Sequence, residues 1–289
     1  MKNSSRIAVV ADSSASLPIS SNAFDFLYLV PMNVIVDGTE FFDKDGNSLG
    51  EFYSLMKERS LRVQTSPPSP NAYLSVFREI VSKSVDQIIC MTVSSDLSGS
   101  YNSASIAAKE AMDAFGEVDI KVVDSKTAAA AEGLILLQLC RNIEKGFTMA
   151  KSLNCLESIV ENTTMIGSID NLHYAWKSGR IPKLAYLGAN ILRIKPVFEL
   201  NKGEINVLAR PRTSKKVNER FIKYISDKSF TSDVCISVMH ADAEDKAVKL
   251  IELIKSKTQY KELFLTNVSP IIGAYAGPGM IGAAFYHDI

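Results

Sequence analysis

Net charge is absent from this chain: 32 lysines and arginines offset 32 aspartates and glutamates. It therefore presents no overall field of the kind that draws a protein onto nucleic acid or an anionic membrane. With no helix-turn-helix pattern either, a DNA-binding role is disfavoured. Cysteine and histidine are scarce. Cys90, Cys140, Cys155 and Cys235 lie far apart without a C-x-x-C, and His173, His240 and His287 are scattered, so no metal site is expected and the cysteines read as small buried residues of a reducing compartment. Long apolar runs are missing too. The N-terminal run Ile7 to Ala11 is too short for a signal peptide, and Ala128 to Cys140 is interrupted by Glu132 and Gly133, well short of the roughly 20 residues of a membrane span. A soluble, cytoplasmic protein without stable membrane insertion is expected. Finally, no G-x-S-x-G elbow, G-x-x-x-x-G-K-[ST] loop or H-E-x-x-H occurs, which leaves the catalytic-residue list empty.

What is present suits two ordinary domains. The length of 289 residues, with 46% apolar and 22% charged residues, predicts globular units that each bury a core, divided here as 1–162 and 163–289. Short β-branched runs alternate with helical patterns. Ile7 to Ala11 ends in Asp12-Ser13-Ser14, Ile88 to Val93 in a serine-rich turn, and Ile120 to Val123 in Asp124-Ser125-Lys126-Thr127. Such alternation predicts an α/β fold, a mostly parallel sheet flanked by helices followed by a mixed α/β domain, with ligands beyond the carboxyl ends of the strands. Leu27 to Val36, broken by Pro31 and closed by Asp37-Gly38, predicts a strand and hairpin. Prolines stiffen Thr65-Ser66-Pro67-Pro68-Ser69-Pro70, and Ser69-Pro70 is a helix-starting pair.

The stretch TVSSDLSGSY, residues 92–101, joins a buried strand to a helix whose first turn leaves N–H groups unpaired and carries partial positive charge. Its serine hydroxyls add uncharged donors for a carboxylate or phosphate; equally, they serve as caps and turn formers. Both readings stay open on these residues alone. Asp12 and Asp124 suit structural capping better than acid–base work. The turn Lys177 to Lys183 is basic and matches a solvated helix end. Gly277-Pro278-Gly279-Met280-Ile281-Gly282 formally matches G-x-G-x-x-G, but it lies too near the C-terminus for a crossover helix and second strand to follow. Those glycines instead allow close backbone approach, with Tyr275 directed to the same place.

Taken in order, ADSSASLP, VPMNVIVDG, TSPPSP, TVSSDLSGSY, VVDSKTAAAAEG, KSGRIPK, IKPVFELNKGEI with RPRTSKK, and GPGMIG resemble the DegV family of bacterial fatty-acid-binding proteins over nearly the whole chain. The resemblance implies a two-domain fold that binds one long-chain fatty acid in an apolar tunnel, its carboxylate at the domain junction. It implies no cofactor and no catalysis by the chain itself. Some members, the FakB subunits, present the acid to a separate ATP-dependent kinase subunit that makes acyl phosphate. By the same resemblance Thr65 and Ser94 or Ser95 match the carboxylate-binding hydroxyls, Tyr275 and Gly277 belong to the terminal ligand-facing motif, and Arg180 and Arg210 match kinase-facing basic positions. One departure stands out: the family's usual G-A-H-T-G-P-G reads Gly273-Ala274-Tyr275-Ala276-Gly277-Pro278-Gly279 here. A tyrosine hydroxyl still donates to a carboxylate but carries no cation near neutral pH. The alternative is an enzyme acting on a small phosphorylated or carboxylated metabolite at the same strand ends, which requires a polar pocket.

Overall fold

A computed structural model of the chain describes residues 7–41, 48–57, 62–178, 194–228 and 233–287. The first sheet is four parallel strands in the order β2-β1-β6-β7, with β1 at Ile7–Asp12, β2 at Leu27–Val30, β6 at Gln87–Thr92 and β7 at Asp119–Asp124. Period-two alternation separates its faces. Ala8, Val10, Ile88 and Cys90 pack on α2 (Pro70–Ser82) and α3 (Ser100–Phe115). Val9, Ala11, Ile89 and Met91 face the other way, toward α4 (Ala129–Glu144). α3 presents Ala104, Ala107, Ala108 and Ala111, all buried, and small side chains at that spacing let it lie close against the sheet.

Pro31 divides the run Leu27 to Val36 into the strand and the hairpin that its sequence predicts. Upstream, β2 joins the parallel sheet. Downstream, β3 (Asn33–Val36) turns away into a small antiparallel sheet with β4 (Thr39–Phe41) and β5 (Val63–Ser66), in the order β4-β3-β5. Proline lacks the N–H that a continuing ladder needs. This sheet carries Thr65 and is backed by α1 (Ser48–Met56).

After α4 and α5 (Met149–Asn162), the chain enters a six-stranded mixed sheet ordered β10-β9-β8-β13-β11-β12. Its strands are β8 (Thr164–Ser168), β9 (Val197–Asn201), β10 (Glu204–Ala209), β11 (Val234–His240), β12 (Glu262–Asn267) and β13 (Ile281–His287). Four helices accompany it: α6 (Leu172–Ser178), α7 (Ser214–Lys228), α8 (Glu244–Lys257) and α9 (Pro270–Ala276). The C-terminal segment is thus a short helix and a strand, and that strand is inserted between β8 and β11, antiparallel to both. One core cluster runs through both halves of the chain, from β1 and α4 to β8, α9 and β13. α4 lies between the sheets, which explains why almost its whole circumference is buried.

Candidate functional site

Parallel register brings the ends of β1, β6 and β7 together, with Ala11 opposite Met91 and Thr92 opposite Asp124. The turns beyond them are held largely by one another. Asp12 is fully buried and accepts from the N–H and hydroxyl of Ser14 (3.1 and 2.5 Å) and from the N–H of Val93 (3.0 Å). The hydroxyl of Ser100, at the start of α3, also reaches it. The protein's own carboxyl therefore sits at the positive end of that helix. Asp124 accepts the Ser95 hydroxyl at 2.6 Å and the Lys126 N–H at 2.8 Å. Both aspartates cap turns.

Between this edge and the six-stranded sheet lies a cavity of about 110 Å³, several times the ~10–15 Å³ that admits one water. Both halves of the chain build it. Val93 and Leu97 contribute from the first, and Phe198, Leu200, Ile271 and Met280 from the second. Among the described residues lining it none is charged, and its polar members are Ser14, Ser98 and Tyr275. Cavities with such walls exclude water and accept apolar molecules. Ala129 also lines it, with φ 55°, a left-handed conformation uncommon outside glycine.

The residues singled out in the sequence divide as follows. Thr65 on β5 and Tyr275 on α9 come together: Thr65 Oγ1 and Tyr275 Oη share a hydrogen bond, and Tyr275 lines the cavity. Ser94 is fully buried and its Oγ accepts the Asp96 N–H at 3.3 Å, whereas Ser95 is exposed and turned to Asp124; neither is in the cavity wall. Gly277 closes α9 with φ 73°, and a Cβ there would stand 2.2 Å from the Tyr174 ring. It shapes the turn behind the wall while its neighbour Ala276 lines it. Arg210 is exposed just after β10. Arg180 lies outside the described residues. Residue patterns placed Ser98 among the donor hydroxyls of TVSSDLSGSY without separating it from Ser94 and Ser95, and did not single out Ser14; what distinguishes Ser98 is that it follows Leu97, itself part of the wall.

The hairpin of β9 and β10 forms one flank. Its tip is seated on the strand-end turns, with the Gly203 N–H donating to the Lys126 carbonyl at 2.7 Å. Gly203 has φ 82°, and a Cβ there would meet Asp96 Oδ2 at 2.2 Å, so glycine serves both the turn and the close approach. Glu161 accepts from Lys126 at 3.1 Å and also from Lys202.

With this geometry in hand, comparison with known proteins is direct. The family model described as an uncharacterised protein of the DegV family matches residues 6–288. The chain belongs to the DegV family. A DegV domain-containing protein of Streptomyces coelicolor is 30% identical over 286 residues, covering 96% of this chain and 98% of that protein. A DegV family protein from Thermus thermophilus, described by its fatty acid binding, shares the fold with a TM-score of 0.88 at 26% identity, covering 98% of this chain and 100% of that one. A DegV family protein from Ruminococcus gnavus, solved with vaccenic acid, has a TM-score of 0.86 at 25% identity over 96% and 99% of the two chains. Among the described residues no group of histidine, cysteine or acidic side chains is placed to hold a metal, and no helix is long and apolar enough to cross a membrane.

Proposed function

We propose that this DegV protein binds one long-chain fatty acid, with the acyl chain in the cavity between the sheets and the carboxylate at the hydroxyls beside it. The observation that carries the reading is a cavity wall that is apolar and uncharged apart from three hydroxyl side chains. Each buried methylene contributes about 0.8 kcal/mol, so the tail supplies most of the affinity and the head group sets the direction of entry. Hydroxyl donors suit that head because they hold a carboxylate without the desolvation cost of a buried lysine. Thr65, Tyr275 and Ser98 form the carboxylate end, while Ser94 and Ser95 order the turn that presents Ser98. The fatty acids of the Thermus and Ruminococcus relatives support a fatty acid as the ligand.

The chain then acts as a carrier that presents its ligand, and a separate ATP-dependent kinase subunit is the partner that the family resemblance suggests. Arg210, exposed just after β10, belongs to the face offered to it, and the family resemblance adds Arg180 as a second basic position. Tyrosine at position 275 supports binding more than phosphotransfer, since it brings a donor without a cation. An enzyme working on a small anionic metabolite would need a polar pocket, and the apolar wall speaks against it.

Protein purified from bacteria is expected to release a fatty acid on denaturing extraction, detected by mass spectrometry. Finding none, together with no uptake of added lipid, rules the reading out.

A further inference from the structure

Ser14 stands between two buried carboxyls, and the hydrogens on the three groups do not add up if both acids are ionised. Its Oγ lies 2.5 Å from Asp12 Oδ1 and 2.7 Å from Glu132 Oε2. A hydroxyl has one hydrogen to donate. One of these contacts therefore needs a hydrogen from an acid, or two oxygens with like partial charge would face each other unbridged. Asp12 is the better anion: burial raises its carboxyl too, but the hydroxyls of Ser14 and Ser100 and two backbone N–H groups oppose that rise, whereas the rise of Glu132 is opposed by the Ser14 contact alone. Glu132 is fully buried and its Oε1 has no hydrogen-bond partner among the described residues. An ionised carboxylate would leave charge on that bare oxygen, whereas a neutral acid leaves only a carbonyl.

We propose that Glu132 is a carboxyl protonated at neutral pH that donates to Ser14 Oγ, with Ser14 in turn donating to ionised Asp12. The surroundings agree. Burial, then the charge of Asp12, hold the Glu132 carboxyl well above its usual range, and Asp124 acts in the same direction. Tyr73 of α2 and Cys90 of β6 lie near Asp12 and offer it no cation. Of the other elements packed on α4, α5 keeps Lys151, Glu157 and Glu161 exposed and Cys155 half-buried, β13 directs Tyr286 to Gln138, farther along the helix, and β11 directs Cys235 to Glu262.

The chain of donors has a consequence for the ligand, which rests on the fatty-acid reading. Ser14 lines the cavity, yet its hydrogen is directed to Asp12, so it presents only acceptor density there. A carboxylate is turned from Ser14 and toward Ser98 and Tyr275. Glu132 is thus a positioning residue for ligand polarity.

The test uses the whole protein with glutamate and aspartate side-chain carboxyls labelled with ¹³C and the lipid removed, so its outcome is independent of whether fatty acid binds. One glutamate resonance is expected to keep the protonated-acid shift at neutral pH and to disappear in Glu132→Gln, while the Asp12 resonance reports the ionised form. Two ionised groups, or a proton on Asp12, would overturn the assignment. The sign of the linked stability gives a second readout. The folded state holds a proton that the unfolded chain releases near the ordinary glutamate value of 4.5, so wild-type stability falls as pH rises above that point until the folded group itself ionises. Glu132→Gln, whose amide also donates to Ser14, is expected to fold and to remove that fall; an unchanged slope counts against the proposal.

Discussion

The turns after β1, β6 and β7 and the surface formed by the β9–β10 hairpin and α9 face one cavity, yet they carry polar groups in opposite ways. The first region is dense in serine, threonine and aspartate, and its groups chiefly bond one another: Asp12 with Ser14 and Val93, Asp124 with Ser95 and Lys126. The second is almost all carbon, with Tyr275 as its polar member of the cavity wall. A crowd of hydroxyls is therefore poor evidence of ligand contact when the groups satisfy each other, because saturated polar groups build architecture. A hydroxyl that borders the cavity on an apolar wall, as Tyr275 does while bonded to Thr65, is better placed to meet a ligand.

The comparison breaks most severely on the carbon side. Phe198 lines the cavity and fills the space left by Gly167, where a Cβ would stand 2.6 Å from its ring. Phe198→Ala is expected to lower stability by about 3–5 kcal/mol, measured by urea unfolding, and to enlarge the cavity so that bulkier acyl chains gain relative to shorter ones in competition. On the polar side the corresponding break is Gly133→Ala. A Cβ there would meet the Ser16 carbonyl oxygen at 2.1 Å, and backbone yields poorly. A loss of about 2–3 kcal/mol is expected, also read by urea unfolding, as α4 is pushed off the turn that holds Asp12 and Ser14.

A smaller change sharpens the comparison by testing which hydroxyls meet the ligand. Tyr275→Phe and Ser98→Ala are each expected to weaken fatty acid binding by about 1–3 kcal/mol, measured as Kd by displacement of a fluorescent acid. Ser95→Ala is expected to leave Kd nearly unchanged, because its hydroxyl is committed to Asp124. Equal losses in all three variants would return the serine-rich turn to the role of carboxylate clamp.

Much of the fold was legible because burial follows simple periods. Strands β1, β6 and β7 announce themselves as short β-branched runs ended by polar turns, and α8 as apolar residues one helical turn apart. The placement of β13 was not legible, since nothing local specifies that a C-terminal strand will insert between β8 and β11; that is decided by pairing across more than a hundred residues. The site was half legible. Thr65 and Tyr275 stand 210 residues apart, and only family resemblance links them. In the sequence Glu132 is merely a break in an apolar run. Its meaning needs Ser14, 118 residues earlier, at hydrogen-bond distance.

The smallest expected effect concerns a place where, among the described residues, the two regions are tied by charge. Glu161, at the end of α5, accepts from Lys202 on the hairpin tip and from Lys126 in the turn after β7. The Lys202 bond and then the Lys126 bond hold its carboxyl below the usual range. A depressed acid stabilises the folded state above its unfolded value, ordinarily 4.5 for glutamate, and that contribution disappears as pH falls through the folded value. All three side chains are largely exposed, so the ties are screened by salt and weak. Global unfolding should scarcely register Glu161→Gln. The hairpin should, because its tip is otherwise anchored by the Gly203 N–H on the Lys126 carbonyl and by the apolar contacts of Phe198, Leu200 and Ile205. Amide exchange at Lys202 and Gly203 is expected to quicken in Glu161→Gln, and in the wild type at low pH or high salt after correction for intrinsic rates, while exchange in β1 and β6 is unchanged. If the β1 and β6 amides quicken equally, Glu161 supports the whole fold and the hairpin is no separate flank of the cavity.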